Sequence, residues 1–220
     1  GIAALVSVVA VNSAVADASR SVALVLDASG SMNAKLSDGQ SRLAAAKAAV
    51  ADLVDKMEGS TRLALRAYGH LSTRDEHNCK DTALLVGFDS VSANKGAVAA
   101  AAHAIEARGY TPITYALTLA AQDIAKEEAG ERVIVLVSDG HETCAADPCA
   151  AAKAIAAADA KLAIHTIGFG VGAAARMQLQ CVANVARGRY FDASSAGDLN
   201  VMLGKAVVQA AEQTETKFAI

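Results

Sequence analysis

One carboxylate and two hydroxyl groups follow a short apolar segment near the start of the chain. Residues 22–26 are apolar, and Asp27, Ser29 and Ser31 come directly after them in the order Asp-Ala-Ser-Gly-Ser. In an extended segment, residues i, i+2 and i+4 lie on one side, so these side chains can converge. Hard divalent cations such as Mg²⁺ prefer oxygen ligands. The spacing therefore predicts a cation-binding turn at the end of a buried strand.

Two further oxygen-bearing side chains occupy comparable positions later in the chain. Thr111 precedes Pro112 at the start of a predicted helix, 112–128, for which Thr111 is the expected N-cap. Asp139 ends a second apolar segment, 133–139. Ligands of an open parallel sheet bind at the carboxyl ends of its strands. We therefore expect Thr111 and Asp139 to complete the cation site.

These motifs together resemble those of a von Willebrand factor A domain that carries a metal-ion-dependent adhesion site. The resemblance extends from about Ser21 to Leu203, with the motifs in the order that the family shows. It departs from the family at Tyr110, where a second glycine is common. The matching motifs are D-x-S-x-S at 27–31, Gly-x-Thr-Pro at 109–112 and Ser-Asp-Gly at 138–140.

The resemblance implies a divalent-metal-dependent protein-binding module for adhesion or assembly. The ion would be Mg²⁺, or Mn²⁺ or Ca²⁺ in its place, and it would accept an Asp or Glu carboxylate from a protein partner. Neutral hydroxyls in the inner shell would leave the ion electrophilic toward that carboxylate. The implied ligands are Asp27, Ser29, Ser31, Thr111 and Asp139.

Two other functions stay open at this point. A metal-dependent hydrolase of the haloacid dehalogenase type would need a second carboxylate two residues after Asp27, and Ser29 stands there. A hydroxyl cannot replace that general acid–base group, and neither Ser29 nor Ser31 lies in a G-x-S-x-G nucleophile elbow. We therefore expect no enzymatic activity. The remaining alternative is a domain of the same family whose metal is purely structural.

Composition excludes one class of partner and favours a large core. The 220 residues are 53% hydrophobic and only 4% aromatic, with a net charge of −3 and a pI near 6.0. A nucleic-acid-binding domain carries a basic footprint, which this chain lacks. We expect no nucleic-acid partner.

Strand-like and helix-like segments alternate along the chain. Such alternation predicts an α/β fold with a mainly parallel, doubly wound sheet covered by helices on both faces. The resemblance adds the strand order 3-2-1-4-5-6. The polar stretch 70–81 joins two strands with no helix between them, which fits a hairpin to one antiparallel edge strand. The expected strands are 21–27, 61–68, 82–87, 132–138, 162–168 and 189–192; the expected helices are 42–57, 96–107, 112–128, 148–158, 173–186 and 196–212.

The first residues indicate export. Residues 1–11 are apolar, and Ala14-Val15-Ala16 resembles a signal-peptide cleavage site. The apolar run is shorter than the ~20 residues that a membrane-spanning helix needs. We therefore expect a signal-peptide remnant at 1–16, a domain at 17–213 and a tail at 214–220, in a periplasmic or secreted protein. A buried amino-terminal strand is the alternative for residues 1–11.

The even number of cysteines agrees with export and favours disulfides. A zinc site would need a tight C-x₂-C pair, which the chain lacks. The family's strand order separates Cys79 from Cys181 by about 15 Å or more, and a disulfide spans at most ~7 Å between Cα atoms. Excluding that pair also disfavours Cys144–Cys149. On this resemblance we expect Cys79–Cys144 and Cys149–Cys181, as in exported bacterial members with similar Glu-Thr-Cys and Asp-Pro-Cys segments.

Three residues near the predicted metal edge are candidates for contact with a partner. His70 and Glu142 follow predicted strands, and Tyr110 stands beside the threonine of the second motif. Polar residues are common in loops at such an edge, so ordinary solvated loop polarity is the alternative for His70 and Glu142. His103 and His165 fall in a predicted helix and strand, and we interpret both as structural.

Overall fold

The computed structural model describes residues 20–128 and 130–215, which form one sheet between two layers of helices. The expected signal remnant at 1–16 and residues 216–220 of the expected tail lie outside this part of the chain. None of the helices in the described ranges is long and apolar enough to cross a membrane. The strands are β1 Arg20–Asp27, β2 Arg62–Tyr68, β3 Thr82–Ser90, β4 Glu131–Ser138, β5 Leu162–Phe169 and β6 Tyr190–Ala193. The helices are α1 Arg42–Lys56, α2 Val91–Ala104, α3 Ile113–Ile124, α4 Pro148–Ala158, α5 Ala173–Val185 and α6 Ala196–Glu215.

The sheet has the order β3-β2-β1-β4-β5-β6, which confirms the predicted topology. β3 runs antiparallel to β2, and every other pair of neighbours is parallel. The central strands are buried on both sides because helices cover both faces, which explains why they are continuously apolar rather than alternating.

Alternate residues of β1 supply two separate apolar clusters. Val22, Leu24 and Leu26 pack on the side of α1, α2 and α6. Ala23 and Val25 pack on the opposite side, against α3, α4 and α5. This division follows from the period of two in an extended strand, and it fixes which way Asp27 points at the strand's end.

Several element boundaries differ from the predicted ones, most of all at the junction of β3 and α2, and α3 ends at Ile124 rather than near 128. β3 continues to Ser90 and α2 begins at Val91, whereas the sequence predicts a strand end near 87 and a helix start near 96. Gly96 and Asn94 weaken the helical signal in this segment because both residue types have low helix propensity. The fold offsets that cost, since the buried Asn94 amide donates a hydrogen bond to the Leu63 carbonyl at 2.7 Å.

Two disulfides connect loops and helices on the side of the sheet where the parallel strands end. They join Cys79 to Cys144 and Cys149 to Cys181, with a Cα–Cα distance of 5.6 Å in each. These are the same pairs that the sequence leads us to expect. The first attaches the 70–81 loop to the segment that follows β4, and the second links α4 to α5.

Candidate metal site

Three main-chain segments meet beneath the cation-binding turn. Ser29 forms a β-bridge with Gly109, and the Gly109 amide donates to the Gly69 carbonyl at 2.8 Å. Gly69 has φ +73°, and a Cβ there would lie 2.5 Å from the Tyr110 carbonyl oxygen. A Cβ at Gly109 would lie 2.6 Å from the Ser72 carbonyl oxygen. Only glycine allows so close an approach, so the position of the turn is set by backbone.

The predicted oxygen ligands of β1 and β4 are brought together above this backbone. The hydroxyls of Ser29 and Ser31 are 3.0 Å apart, and Ser31 donates to the Asp139 carboxylate at 2.6 Å. Asp27 lies deeper. One of its oxygens accepts from the Ser29 amide at 2.8 Å and the other from the Ser138 hydroxyl at 2.7 Å. The cluster therefore has two carboxylates linked through neutral hydroxyls.

The Asp27 carboxyl group is fully buried and forms no ion pair with any side chain of the described residues. Burial and, to a smaller extent, the charge of Asp139 raise the pKa of Asp27 to about 6, and hydrogen bonds from Ser138 and Ser29 limit the increase. Tyr68 is buried next to this carboxyl group. Burial, together with the Asp27 charge, raises the Tyr68 pKa well above its ordinary value. Its hydroxyl has no hydrogen-bond partner among the described residues. Asp27 is thus a buried acidic group with no ion pair among the described residues.

Unlike Asp27, Asp139 forms an ion pair with a neighbouring side chain, that of Arg42. The Arg42 guanidinium lies 2.8 Å from the Asp139 carboxylate, whose side chain is inaccessible to solvent. A second guanidinium nitrogen of Arg42 donates to the Gly170 carbonyl at 3.0 Å. Sequence reasoning missed Arg42 because it is 97 residues from Asp139 and lies in no recognisable motif. This arginine holds the Asp139 side chain against the first turn of α1.

Thr111 lies on the floor of the same pocket, but it is not the helix cap that the sequence predicts. α3 begins at Ile113, and Pro112 occupies the N-cap position without a capping side chain. The Glu142 carboxylate instead accepts a hydrogen bond from the Thr114 amide at 2.8 Å. Glu142 thereby satisfies one of the free amides of the first helical turn. The capping role thus passes to a side chain from another loop.

The Thr111 hydroxyl therefore makes no capping hydrogen bond to α3. Its side chain is almost fully buried, and its oxygen forms no hydrogen bond with any residue in the described ranges. The Thr111 main chain is held instead. Its amide donates to the Thr143 hydroxyl at 2.8 Å, and its carbonyl accepts from the Thr143 amide at 3.2 Å. Thr111 is therefore fixed in place with an uncommitted oxygen facing the pocket.

A pocket of about 190 Å³ opens above these oxygens. Ser29, Ser31 and Thr111 line its floor. Within the described parts of the chain, no group of three or more His, Cys, Asp or Glu side chains could hold a metal ion. A cation here would depend on two carboxylates with hydroxyl and water oxygens, a mixture that suits Mg²⁺. The other lining residues are Arg74, Gly109, Tyr110, Gly140, His141 and Thr143.

Only one of the three predicted partner-contact residues lines the pocket. Tyr110 does so, whereas His70 and Glu142 do not. The His70 side chain is 7% exposed and faces Asp81 at 3.9 Å, and burial lowers its pKa. Glu142 is 8% exposed and accepts from the Thr114 and Cys144 amides. Burial and these backbone hydrogen bonds speak against partner contact by either side chain.

The missed residues of the pocket come from two different loops. Arg74 belongs to the 70–81 hairpin loop, while His141 and Thr143 follow β4. His141 is adjacent to the Ser-Asp-Gly motif, which is a usable signal. Arg74 has no such signal because its position depends on how the long hairpin loop folds back.

Comparison with known proteins agrees with this fold. A family model described as von Willebrand factor type A domain matches residues 21–205. The chain is 31% identical to the uncharacterized protein YwmC of Bacillus subtilis (strain 168) over 189 residues, which cover 84% of this chain and 81% of YwmC.

Two solved structures from bacterial pili share the architecture. The pilus adhesin SpaC of Lactobacillus rhamnosus GG aligns with a TM-score of 0.70 at 15% identity, covering 88% of this chain and 30% of SpaC. The PilB minor pilin of Streptococcus sanguinis aligns with a TM-score of 0.67 at 14% identity, covering 87% of this chain and 61% of PilB. At such low identity the likeness concerns the fold alone. Because the family match spans most of the chain, this protein belongs to the von Willebrand factor type A domain family.

Proposed function

We propose that this protein is a divalent-metal-dependent binding module that captures a protein partner through an Asp or Glu carboxylate. The metal, Mg²⁺ or a similar ion, would be held by Asp27, Ser29, Ser31, Thr111 and Asp139. When bound, it would supply a Lewis-acidic position that a partner's carboxylate can complete.

The observation that carries this proposal is the uncompensated charge beneath an uncommitted hydroxyl. Asp27 and Asp139 lie close enough to raise the Asp27 pKa, and Arg42 pairs with only one of them. The Thr111 oxygen faces the same pocket without a partner in the described residues. A divalent cation would satisfy both features at once. The residues present therefore fit the ion.

The chain's own groups would keep the bound ion available to a partner. Ser29 and Thr111 offer neutral oxygens at the pocket floor, while Asp27 lies deeper and is occupied by hydrogen bonds from Ser29 and Ser138. Arg42 reduces the negative charge that Asp139 contributes. With less anionic charge from the protein, the ion would bind an incoming carboxylate more strongly. This arrangement favours a binding role over a structural ion.

A binding role also agrees better with the site than hydrolysis does. The position that a hydrolase would use for its second carboxylate is Ser29, whose hydroxyl lies 3.0 Å from that of Ser31. General acid–base catalysis needs a group whose pKa lies near the working pH, and a serine hydroxyl is far from it. Two proteins that share this fold are named as a pilus adhesin and a minor pilin, which agrees with a binding role.

We further propose that the protein acts outside the cytoplasm. Disulfides persist in oxidising compartments and are rare in the cytosol. All four cysteines of the chain are paired as Cys79–Cys144 and Cys149–Cys181. A protein isolated from its native host without reductant should therefore resist alkylation, and four reactive thiols would contradict the extracellular location.

Substitutions at Thr111 test the proposed function. Thr111→Val retains the shape and loses the oxygen, whereas Thr111→Ser retains an oxygen. We expect titration calorimetry with Mg²⁺ or Mn²⁺ to show binding to wild type and Thr111→Ser, with affinity about 10-fold or more weaker in Thr111→Val. Because Thr111 caps no helix, the melting temperature of the metal-free Thr111→Val protein should differ little from that of wild type.

The same variants should separate partner capture from passive metal binding. Wild type and Thr111→Ser should retain extracellular host proteins in a pull-down, EDTA should release them, and Thr111→Val should retain few of them. Capture by Thr111→Val equal to that by wild type would exclude the threonine as a ligand. Capture that survives EDTA in every variant would instead assign the ion a structural role.

A further inference from the structure

The wall of the pocket carries a guanidinium that no carboxylate of the described residues neutralises. Arg74 lines the pocket, and its charged group lies over the Tyr110 ring, 5.6 Å from the ring centroid. Two other arginines near this edge are already engaged, since Arg42 pairs with Asp139 and Arg108 pairs with Glu106. Arg74 forms no ion pair in the described parts of the chain. It is therefore available to an anionic group of a ligand.

The loop that carries Arg74 is held rigidly. The buried Asp81 carboxylate accepts hydrogen bonds from the Leu71 and Ser72 amides at 3.0 and 2.8 Å. Thr73 and Glu76 form a reciprocal capping box around the short 3₁₀ turn that begins at Arg74. Such local hydrogen bonds reduce the entropy that binding would otherwise cost.

Two contacts in the second half of this loop also contribute to its position. The Cys79–Cys144 disulfide attaches it to the segment after β4. On the pocket side, the Tyr110 ring contacts His77 of the loop with a centroid separation of 5.1 Å. Tyr110 thus lies against both His77 and Arg74, and a guanidinium over an aromatic face is electrostatically favourable. The arginine is presented beside the ion site by contacts independent of any ligand.

The size of the pocket limits what can enter it. A pocket of about 190 Å³ suits a side chain rather than a folded segment. A partner's chain would therefore pass across the mouth while a single carboxylate enters. Neighbouring residues of that chain would lie at the mouth, within reach of Arg74.

We infer that the partner is an acidic peptide segment bearing two nearby carboxylates, one bound at the ion and the second paired with Arg74. This inference rests on the proposed function, because the first carboxylate needs the metal. Arginine suits the second role because its planar group binds carboxylates through paired hydrogen bonds. Tyr110 and the rigid loop fix its direction. Arg74 would therefore act as a specificity-determining residue.

A peptide array can test the inference without knowledge of the natural partner. Each probe peptide carries one central Asp and, at one of the three positions on either side, Glu, its neutral counterpart Gln, or Lys. Binding is measured with Mg²⁺ and again with EDTA. Wild type should prefer Glu over Gln by about 10-fold at one position or more, while EDTA should abolish binding to every probe.

Variants of Arg74 supply the decisive comparison. In Arg74→Gln, the ratio of binding to the Glu peptide over the Gln peptide should fall close to one. EDTA-sensitive binding through the central Asp should persist. Arg74→Glu should reverse the preference, so that a neighbouring Lys is favoured over Gln. Arg108→Gln is the matched control, because Arg108 lies on the same edge and is already paired with Glu106. It should retain the wild-type preference.

The outcomes distinguish the inference from the function on which it rests. EDTA-sensitive binding of central Asp without any preference for Glu would overturn the two-carboxylate inference and leave the metal-dependent function standing. A preference for Glu that persists in Arg74→Gln would also overturn it. Absence of EDTA-sensitive binding to any probe would contradict both proposals.

Discussion

The two ends of the parallel strands differ in how their carboxylates are neutralised. At the amino ends, Arg20 lies 3.0 Å from Glu131, and Arg62 is paired with Glu127. At the carboxyl ends, Asp27 receives hydrogen bonds only from the uncharged Ser29 amide and Ser138 hydroxyl. The first edge is electrically balanced by the protein itself. At the second, the buried Asp27 carboxyl group has no ion-pair partner among the described residues, and a bound cation would supply one, so it is the edge where function is expected.

The contrast also separates structural from functional electrostatics. Partly exposed ion pairs such as Arg20–Glu131 contribute little to stability, but they leave no charge unsatisfied. The buried Asp27 carboxyl group instead destabilises the metal-free fold whenever it is ionised, because burial penalises its charged form. An ionised Asp27 therefore reduces the stability of the metal-free protein, and the proposed metal would restore it. Such a trade is typical of functional sites.

The largest expected difference between the two edges is in Mg²⁺ affinity after one acidic side chain at each edge is replaced by its amide. We expect Asp27→Asn to weaken Mg²⁺ binding by about 100-fold or more, because it removes a charge from the ion site. Glu131→Gln, at the amino ends, should leave Mg²⁺ affinity unchanged. Titration calorimetry measures both. Equal metal affinities in the two variants would remove Asp27 from the site.

The unfolding free energy of the metal-free protein should also depend on pH through Asp27. Subtracting the value for Asp27→Asn from that for wild type isolates the contribution of this side chain. The Asp27 pKa is about 6 in the folded metal-free protein and ~3.9 in an unfolded chain. Its stabilising contribution is therefore complete below about pH 4 and is lost as the pH rises through about 6. Relative to Asp27→Asn, wild type without metal should lose roughly 3 kcal/mol of unfolding free energy between these limits.

A second buried group, His165, titrates in the same pH range. The Asp27 effect must therefore be measured as the difference between wild type and Asp27→Asn. His165 is buried in β5, and its folded pKa is lowered to about 4, chiefly by burial. Its contribution is present above the unfolded pKa of ~6.5 and is lost as the pH falls, so it opposes that of Asp27 in the same range. Denaturant unfolding from pH 4 to pH 7 checks the prediction. Saturating Mg²⁺ should remove the Asp27 effect, and a pH-independent difference without metal would contradict it.

The smallest effect should come from the amino ends. Glu127→Gln weakens the contacts of this side chain with Arg62 and Ser21, and we expect a loss of about 1 kcal/mol from a partly exposed pair. Mg²⁺ affinity should stay unchanged. Chemical denaturation with and without metal tests both. A change in metal affinity would show that the two edges are coupled through the sheet.

Local pattern was sufficient to predict much of the fold. The apolar strands and the alternation with helices indicate an α/β sheet, and the resemblance to a known family supplied the strand order. The boundary between β3 and α2 was predicted incorrectly, because Asn94 is stabilised there by the distant Leu63 carbonyl. Propensity alone cannot anticipate such a contact.

The candidate site was predictable where its residues lie in motifs. Ser29, Ser31 and Asp139 are brought together as the spacing predicts. The capping role assigned to Thr111 was wrong, because Glu142 reaches the first turn of α3 from another loop. Arg42 and Arg74 were missed for a related reason. Each acquires its role from a tertiary contact that leaves no periodic signal in the sequence.

The close backbone packing beneath the turn has a consequence for how such domains diverge. A side chain at Gly69 or Gly109 would collide with carbonyl oxygens, which cannot move aside as a flexible side chain can. Arg74, Tyr110 and His141 line the pocket above that backbone. Mutation can therefore exchange these contact residues one at a time while the platform for the ion persists. A lineage built on this backbone could therefore acquire new partners without passing through an ancestor that had lost the proposed cation site.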